Sequence, residues 1–123
     1  MRFKKASELV YQTLSGYKEL TKWLSSGSKS VYPLVAPHGE KACFITYSLM
    51  YDGLLAKGLL GFRVEIRVFS DDYDNCCLLA DKVYESFEQA GSFLCGLLSA
   101  ESIQTDEGWL YIEQVYNLKF NEK

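Results

Sequence analysis

The stretch 62–69 constrains this chain more than any other. Phe62, Val64, Ile66 and Val68 alternate with Arg63, Glu65 and Arg67. A period of two with one apolar and one charged set is the pattern of a strand that buries one face and wets the other. Such a strand cannot stand alone, because its apolar face has to be covered by another layer. The covering layer is legible immediately downstream. Ser70-Asp71-Asp72 offers side-chain oxygens to the free N–H groups of a helix start, where negative charge is also favourable. Cys76, Ala80, Val83 and Phe87 then recur at spacings of three or four, with Leu79 and Tyr84 beside them, and Ala90-Gly91 suits the helix end.

The remaining elements extend this pattern in both directions. Ala6, Val10 and Leu14 recur at spacings of four and predict an N-terminal helix that Gly16 interrupts; a short turn with Leu20, Trp23 and Leu24 follows, then a Ser25-Ser26-Gly27-Ser28 loop. Pro33 and Pro37 exclude a regular helix or a central strand over 31–37, which leaves an extended edge segment, and 38–41 reads as a turn. Residues 42–51 alternate as a strand, with Cys43, Ile45, Tyr47, Leu49 and Tyr51 on one side. Leu97 to Thr105 and Trp109 to Leu118 read as a final pair joined by an Asp106-Glu107-Gly108 turn. The expected fold class is α+β: one domain over 1–123, with a small antiparallel sheet sandwich of about four to five strands and two main helices packed on it.

Composition excludes several function classes. With 48% hydrophobic residues, 24% charged and two prolines in 123, the chain is neither disordered nor low-complexity. No apolar run reaches the roughly 18 residues of a membrane span. Met1-Arg2-Phe3-Lys4-Lys5 is followed by Ser7 and Glu8 and not by an apolar signal core, which predicts a cytoplasmic protein, or at least one made and used without secretion. Cys43, Cys76, Cys77 and Cys95 contain no C-x-x-C pair, so four free thiols acting as small hydrophobes are expected, with Cys43 and Cys76 inward and Cys77 partly outward.

No constellation of residues points to catalysis. His38 is the only histidine, and nothing near it in sequence makes it the base for a cysteine nucleophile. Asp71, Asp72 and Asp74 cluster, but the glycine and glutamate of a calcium loop do not follow, and helix capping accounts for them. Neither a phosphate-binding loop nor a dinucleotide fingerprint is present. Lys4, Lys5, Lys18 and Lys22 form at most a weak anionic contact, and the acidic second half disfavours a nucleic-acid module. No catalytic, cofactor or metal residues are therefore assigned. The aromatic residues Tyr47, Tyr51, Tyr73, Trp109, Tyr111 and Tyr116 suit either a core or an interface, and the core is favoured for most of them.

Two features point to self-association. Residues 1–67 hold ten Lys/Arg and five Asp/Glu, a balance of +5; residues 68–123 hold three and eleven, a balance of −8; the sum is the −3 of the whole chain. This is either an ordinary mixed surface or a pair of complementary faces that favours head-to-tail assembly. The second feature is the 52–61 connection, which has three glycines and the leucines Leu54, Leu55, Leu59 and Leu60. It either folds onto the core or docks on a neighbouring subunit. Burying a leucine gains roughly 1.5–3 kcal/mol, against about 1–2 kcal/mol per residue ordered. On that balance the connection becomes ordered only against a partner, and the four leucines are the candidate oligomer interface.

Read together, two stretches resemble a known family. One is Val31-Tyr32-Pro33-Leu34-Val35-Ala36-Pro37-His38-Gly39, with Phe44-Ile45-Thr46-Tyr47 after a short gap. The other is Phe62-Arg63-Val64-Glu65-Ile66-Arg67-Val68-Phe69-Ser70-Asp71-Asp72-Tyr73, running into Leu79-Ala80-Asp81-Lys82-Val83. Their order and spacing resemble the tail-completion family of long-tailed bacteriophages, whose members join tail to head. Lys41-Ala42-Cys43-Phe44 stands where that family usually has a proline, and Cys76-Cys77 where it has small residues. The resemblance implies an α+β subunit of a homo-oligomeric ring, often a hexamer, at the head-proximal end of the tail. Its implied partners are itself and the tail-tube and head-completion proteins, with no enzyme activity, cofactor, membrane or sequence-specific nucleic acid. The alternative is a small bacterial cytoplasmic ligand-binding or enzyme domain of α+β type.

Overall fold

The alternating stretch is the middle of a longer strand at the centre of the sheet. The computed structural model describes residues 1–55 and 58–122; Ala56 and Lys57, which belong to the leucine-rich connection, and Lys123 lie outside the described residues. The elements are α1 (Phe3–Ser15), α2 (Lys18–Thr21), a 3-10 turn (Gly27–Ser30), β1 (Val31–Pro33), β2 (Phe44–Leu54), β3 (Leu59–Phe69), α3 (Tyr73–Glu88), β4 (Leu94–Gln104) and β5 (Leu110–Asn121). The fold is α+β, a five-stranded sheet in the order β1-β2-β3-β5-β4 with the helices on one face.

One detail of the expected sheet changes. β1 pairs parallel to β2, Val31 opposite Ile45, so the sheet is mixed and not wholly antiparallel. The three-residue strand ends at Pro33, which has no N–H to continue a ladder and sits at the sheet edge where that costs least. The other pairs are antiparallel.

Register decides which side chains enter the core. Ile45 and Tyr47 of β2, Leu60, Phe62, Val64, Ile66 and Val68 of β3, and Tyr116, Leu118 and Phe120 of β5 face the helices and are buried. α1 answers with Ala6, Leu9, Val10 and Leu14, and α3 with Cys76, Leu79, Ala80, Val83 and Phe87. Phe87 stacks on Tyr116 with ring centroids 4.5 Å apart, and Phe62 lies 5.8 Å from Phe120. Asp72 caps α3 as the sequence indicates, its carboxylate accepting from the Asn75 N–H at 3.0 Å. Gly16 ends α1 for a steric reason: a Cβ there would stand 2.7 Å from the Gln12 carbonyl oxygen.

The 52–61 connection is not a loose loop. The β2–β3 ladder continues through Gly53 opposite Gly61 and Leu54 opposite Leu60, after a bulge between Tyr51 and Gly53. Gly53 has φ 119, a conformation that L side chains rarely adopt. The Leu55 N–H donates to the Leu59 carbonyl at 2.6 Å. Among the described residues the hairpin is thus hydrogen-bonded within a single chain. β4 and β5 also run further than their sequence patterns, beginning at Leu94 and ending at Asn121.

Candidate functional site

The face of the sheet away from the helices divides into two parts. Toward the hairpin it is charged: Arg63 lies 3.7 Å from Asp52, and Arg67 lies 2.9 Å from Glu113 and 3.9 Å from Glu65. At the opposite end it is aromatic. Phe44 and Phe69, cross-strand partners, stack with centroids 4.6 Å apart. Trp109 stands edge-on to both, at 6.2 and 5.9 Å, and Tyr111 lies 4.9 Å from Phe69. The guanidinium of Arg67 sits 5.5 Å over the Tyr111 ring, which joins the charged and aromatic parts.

Two segments turn this floor into a cleft of about 650 Å³. Residues 34–40 cross the face from β1, tied down by the Tyr32 hydroxyl donating to the Glu40 carboxylate and by the Leu34 N–H donating to Tyr47 O at 2.8 Å. The β4–β5 turn forms the other wall. It is closed by Thr105 N–H to Trp109 O at 2.8 Å, and Trp109 N–H to Thr105 Oγ1 at 3.0 Å, so the indole is held by its backbone. Covered in this way, Phe44 and Thr46 are buried although they lie on the helix-free face. The polar groups reaching the cleft include Thr46, Arg67, Thr105 and His38.

This cleft was only half legible in the sequence. Of the aromatics assigned mainly to the core, Tyr47 and Tyr116 are buried there, whereas Tyr73 and Trp109 are exposed and Tyr111 lines the cleft. The missed signal is that the charged set Arg63, Glu65, Arg67 turns aromatic at Phe69. That change marks the end of the wetted face where something covers it.

The four leucines of the candidate interface separate. Leu60 is 1% exposed and belongs to the core beside Phe62, so it is not available to a neighbour. Its parity explains this, since it continues the alternation of Phe62, Val64 and Ile66 one step toward the hairpin. Leu59 is half-buried opposite Asn121, and Leu55 lies against Gly61. Only Leu54 projects fully, 60% exposed.

His38 lines the cleft and no cysteine does. All four cysteines are free, with Cys43 and Cys76 buried and Cys77 and Cys95 half-buried. Burial pushes the Cys76 thiol up to about 11 and raises that of Cys95. Neither is therefore an activated nucleophile. Cys76 Sγ donates to Val68 O at 3.2 Å, as a packed structural thiol does. Among the described residues no group of three or more His, Cys, Asp or Glu converges as a metal site would. Among the described residues no helix is long and apolar enough to cross a membrane.

A second bare region is β4. It pairs only with β5, and its other edge is open along Leu94–Gln104. Leu94, Leu97 and Leu98 are exposed on it, and Glu101 is its one charge. No protein-family model matches the chain, and a search of curated proteins finds no match.

Proposed function

We propose that this chain is a non-enzymatic structural subunit of a phage or prophage virion. In this reading it is a tail-completion or tail-terminator protein that assembles as a homo-oligomeric ring, such as a hexamer, at the head-proximal end of the tail. There it would meet tail-tube and head-completion proteins. The observation that carries the reading is the unguarded β4 edge. Proteins that stay monomeric blunt their edge strands with charges such as lysine, with proline, with bulges or with a covering element, and of these β4 has only the bulge and Glu101. β4 has eleven residues, no lysine and no proline, and three leucines left in water. A bulge at Leu97/Ser99 twists it but covers none of them. The motif order of the phage family and the uneven charge of the two halves of the chain support the same reading.

The test is direct. Sedimentation and light scattering of the purified protein, alone and with a tail-tube protein from the same gene neighbourhood, should show a closed oligomer. Negative-stain images of that species should show rings. A monomer at every concentration and with every such partner would overturn the reading.

One observation favours a second reading, a ligand-binding domain. The aromatic cleft falls within the size range of small-molecule sites and has a few convergent polar groups. Under this reading, a screen of aromatic ligands should raise the melting temperature of the native chain, and Trp109→Ala should abolish that rise. A screen without such a ligand leaves the structural reading alone.

A further inference from the structure

We propose that a second pocket, between α3 and the start of β4, binds a small organic ammonium ion, whose N–H groups meet the Tyr116 hydroxyl at the pocket floor and the Glu88 carboxylate at its mouth. This site is separate from the aromatic cleft, and the inference is independent of the role proposed above.

The pocket holds about 350 Å³, at the small end of ligand sites. Tyr84, Phe87 and Glu88 reach it from one side of α3, at helical spacings of three and four. Leu97 is the cross-strand partner of Tyr116, which sets β4 beside the same face of β5. The Cys95 thiol donates to Phe87 O at 3.4 Å and ties the strand to the helix. Phe87 packs on both Tyr116 and Phe93, with ring centroids 4.5 and 6.1 Å away, so the inner wall is aromatic.

The floor holds an unpaired polar group. Tyr116 is 1% exposed, and its hydroxyl has no hydrogen-bond partner among the described residues. Buried phenol oxygens are ordinarily paired. The surroundings of this one are the pocket itself. Burial, and after it the nearness of Cys95, Tyr84 and Glu88, raises the pKa of the phenol, and all three of those residues line the pocket. Tyr84 and Leu97 stand at the opening, each 40% exposed. Exposed side chains change rotamer within nanoseconds, so a ligand that enters gains access to the hydroxyl.

Charge selects the ligand. Among the described residues Glu88 is the one charged group lining the pocket, and it is exposed at the mouth. It is close enough to add to the effect of burial on the Cys95 thiol, whose pKa it raises further. Lys82, the one basic residue of α3, is paired with Glu85 at 3.1 Å. An anion is therefore repelled, and a metal ion finds one carboxylate where it needs several oxygen ligands. A cation with hydrogens to donate serves both groups at once, one N–H to Glu88 and another to the Tyr116 oxygen. The Tyr84 ring offers the same cation an aromatic face. Phe93, Leu94 and Leu97 cover an apolar body. A primary amine meets all of these groups. A quaternary ammonium has no hydrogen for Tyr116, and a neutral alcohol has no charge for Glu88.

Titration of the isotope-labelled full chain with benzylamine at neutral pH, followed by amide NMR shifts, tests this. Saturable shifts should appear at Glu88, Cys95, Gly96 and Leu97. Tyr116→Phe should weaken binding roughly tenfold, as expected for a lost hydrogen bond to a charged group. Glu88→Gln should weaken it several-fold, within the range of an exposed ion pair. Benzyl alcohol and benzyltrimethylammonium should each bind less well than the amine. Should Tyr116→Phe fail to fold, Glu88→Gln and the two analogues decide the matter, since Glu88 is exposed. The absence of any saturable shift in the native chain overturns the inference and leaves the hydroxyl to water. So does binding that either substitution leaves unchanged, or a quaternary ammonium that binds as well as the amine. Shifts confined to Phe44, Trp109 and Tyr111 would place the amine in the aromatic cleft and overturn it as well.

Discussion

The two faces of the sheet are built by the same strands and obey different rules. On the helix side, β3 presents Phe62, Val64, Ile66 and Val68, all fully buried against α1 and α3. On the other side, the same strand presents Arg63, Glu65 and Arg67 in exposed ion pairs, until Phe69 meets Phe44 and Tyr111. The first face holds the monomer together by apolar burial. The second carries little of the folding energy, because exposed ion pairs are each worth about 0–1 kcal/mol. It is free to vary for contact with something else.

Truncation on each face tests the contrast at its largest. Ile66→Ala or Phe87→Ala should cost about 2–5 kcal/mol by urea denaturation, since each leaves a cavity in a packed core. Arg63→Ala should cost at most about 0.5 kcal/mol. The hairpin repeats the contrast within seven residues of chain. Leu60→Ala should fall in the core range of about 2–5 kcal/mol, and Leu54→Ser should stay within about 0.5 kcal/mol. Equal losses at Leu60 and Leu54 would mean that the hairpin tip is part of the core after all.

The helix-covered face should also respond to alkali. The Cys76 thiol is fully buried and pushed up from 9.0 to about 11 by desolvation. Between those values the unfolded chain has lost a proton that the folded chain keeps. The folded state is therefore fully favoured below pH 9 and loses stability as pH rises through 11, by about 2–3 kcal/mol from this group. Burial raises the Tyr116 phenol and the Cys95 thiol too, which steepens the same decline. Urea midpoints measured across this range should fall for the native chain and fall less for Cys76→Ala. A flat profile would mean that the thiolate is solvated and the core looser than its packing.

The sequence carries the helix-covered face well and the open face poorly, for a physical reason. Burial against helices imposes periods of two and of three to four, which show in Val64, Ile66, Ala80 and Val83. The cleft is assembled from Phe44, Phe69, Trp109 and Tyr111, residues from separate stretches that meet only through strand register. The one local sign of such a meeting is the turn from charged to aromatic at Phe69. The strands run further into the hairpin than their patterns show, because glycines at 53 and 61 resemble loop signals when read singly, whereas across a ladder they face each other as a pair. The parallel pairing of β1 was out of reach for a similar reason, since three residues ending in proline have too little pattern to show direction. Of the four leucines offered as an interface, Leu60 follows the parity of the core and Leu54 projects furthest into solvent.

A smaller effect is expected at the hydroxyl of Tyr116, which is buried on the helix-covered face with no hydrogen-bond partner among the described residues. A buried hydroxyl left unpaired costs roughly 1–3 kcal/mol of desolvation. Tyr116→Phe removes that group and keeps the ring stacked on Phe87. The variant should be as stable as the native chain or more stable by about 1 kcal/mol. A loss of stability in the thermal melt would show that the hydroxyl is satisfied, and that this face is less dry than its neighbours suggest.

The smallest effect belongs to the open face, at Leu34. In the left-handed region a leucine costs about 1–2 kcal/mol that glycine does not. Glycine in turn loosens the unfolded chain, which returns about 0.4–1 kcal/mol of that gain. The side chain is 69% exposed, so its removal forfeits little burial within the monomer. Leu34→Gly should therefore match the native chain or exceed it by about 1 kcal/mol, a rise of a few degrees in melting temperature. Leu34→Ala, which keeps the strain, should show no such gain. Under the ligand-binding reading, the same glycine variant should bind its ligand more weakly, because it removes an apolar wall of the cleft. Stability up and binding down in one variant would separate the two faces by function. A clear loss of monomer stability would instead join the cleft rim to the core, and the contrast between the faces would end there.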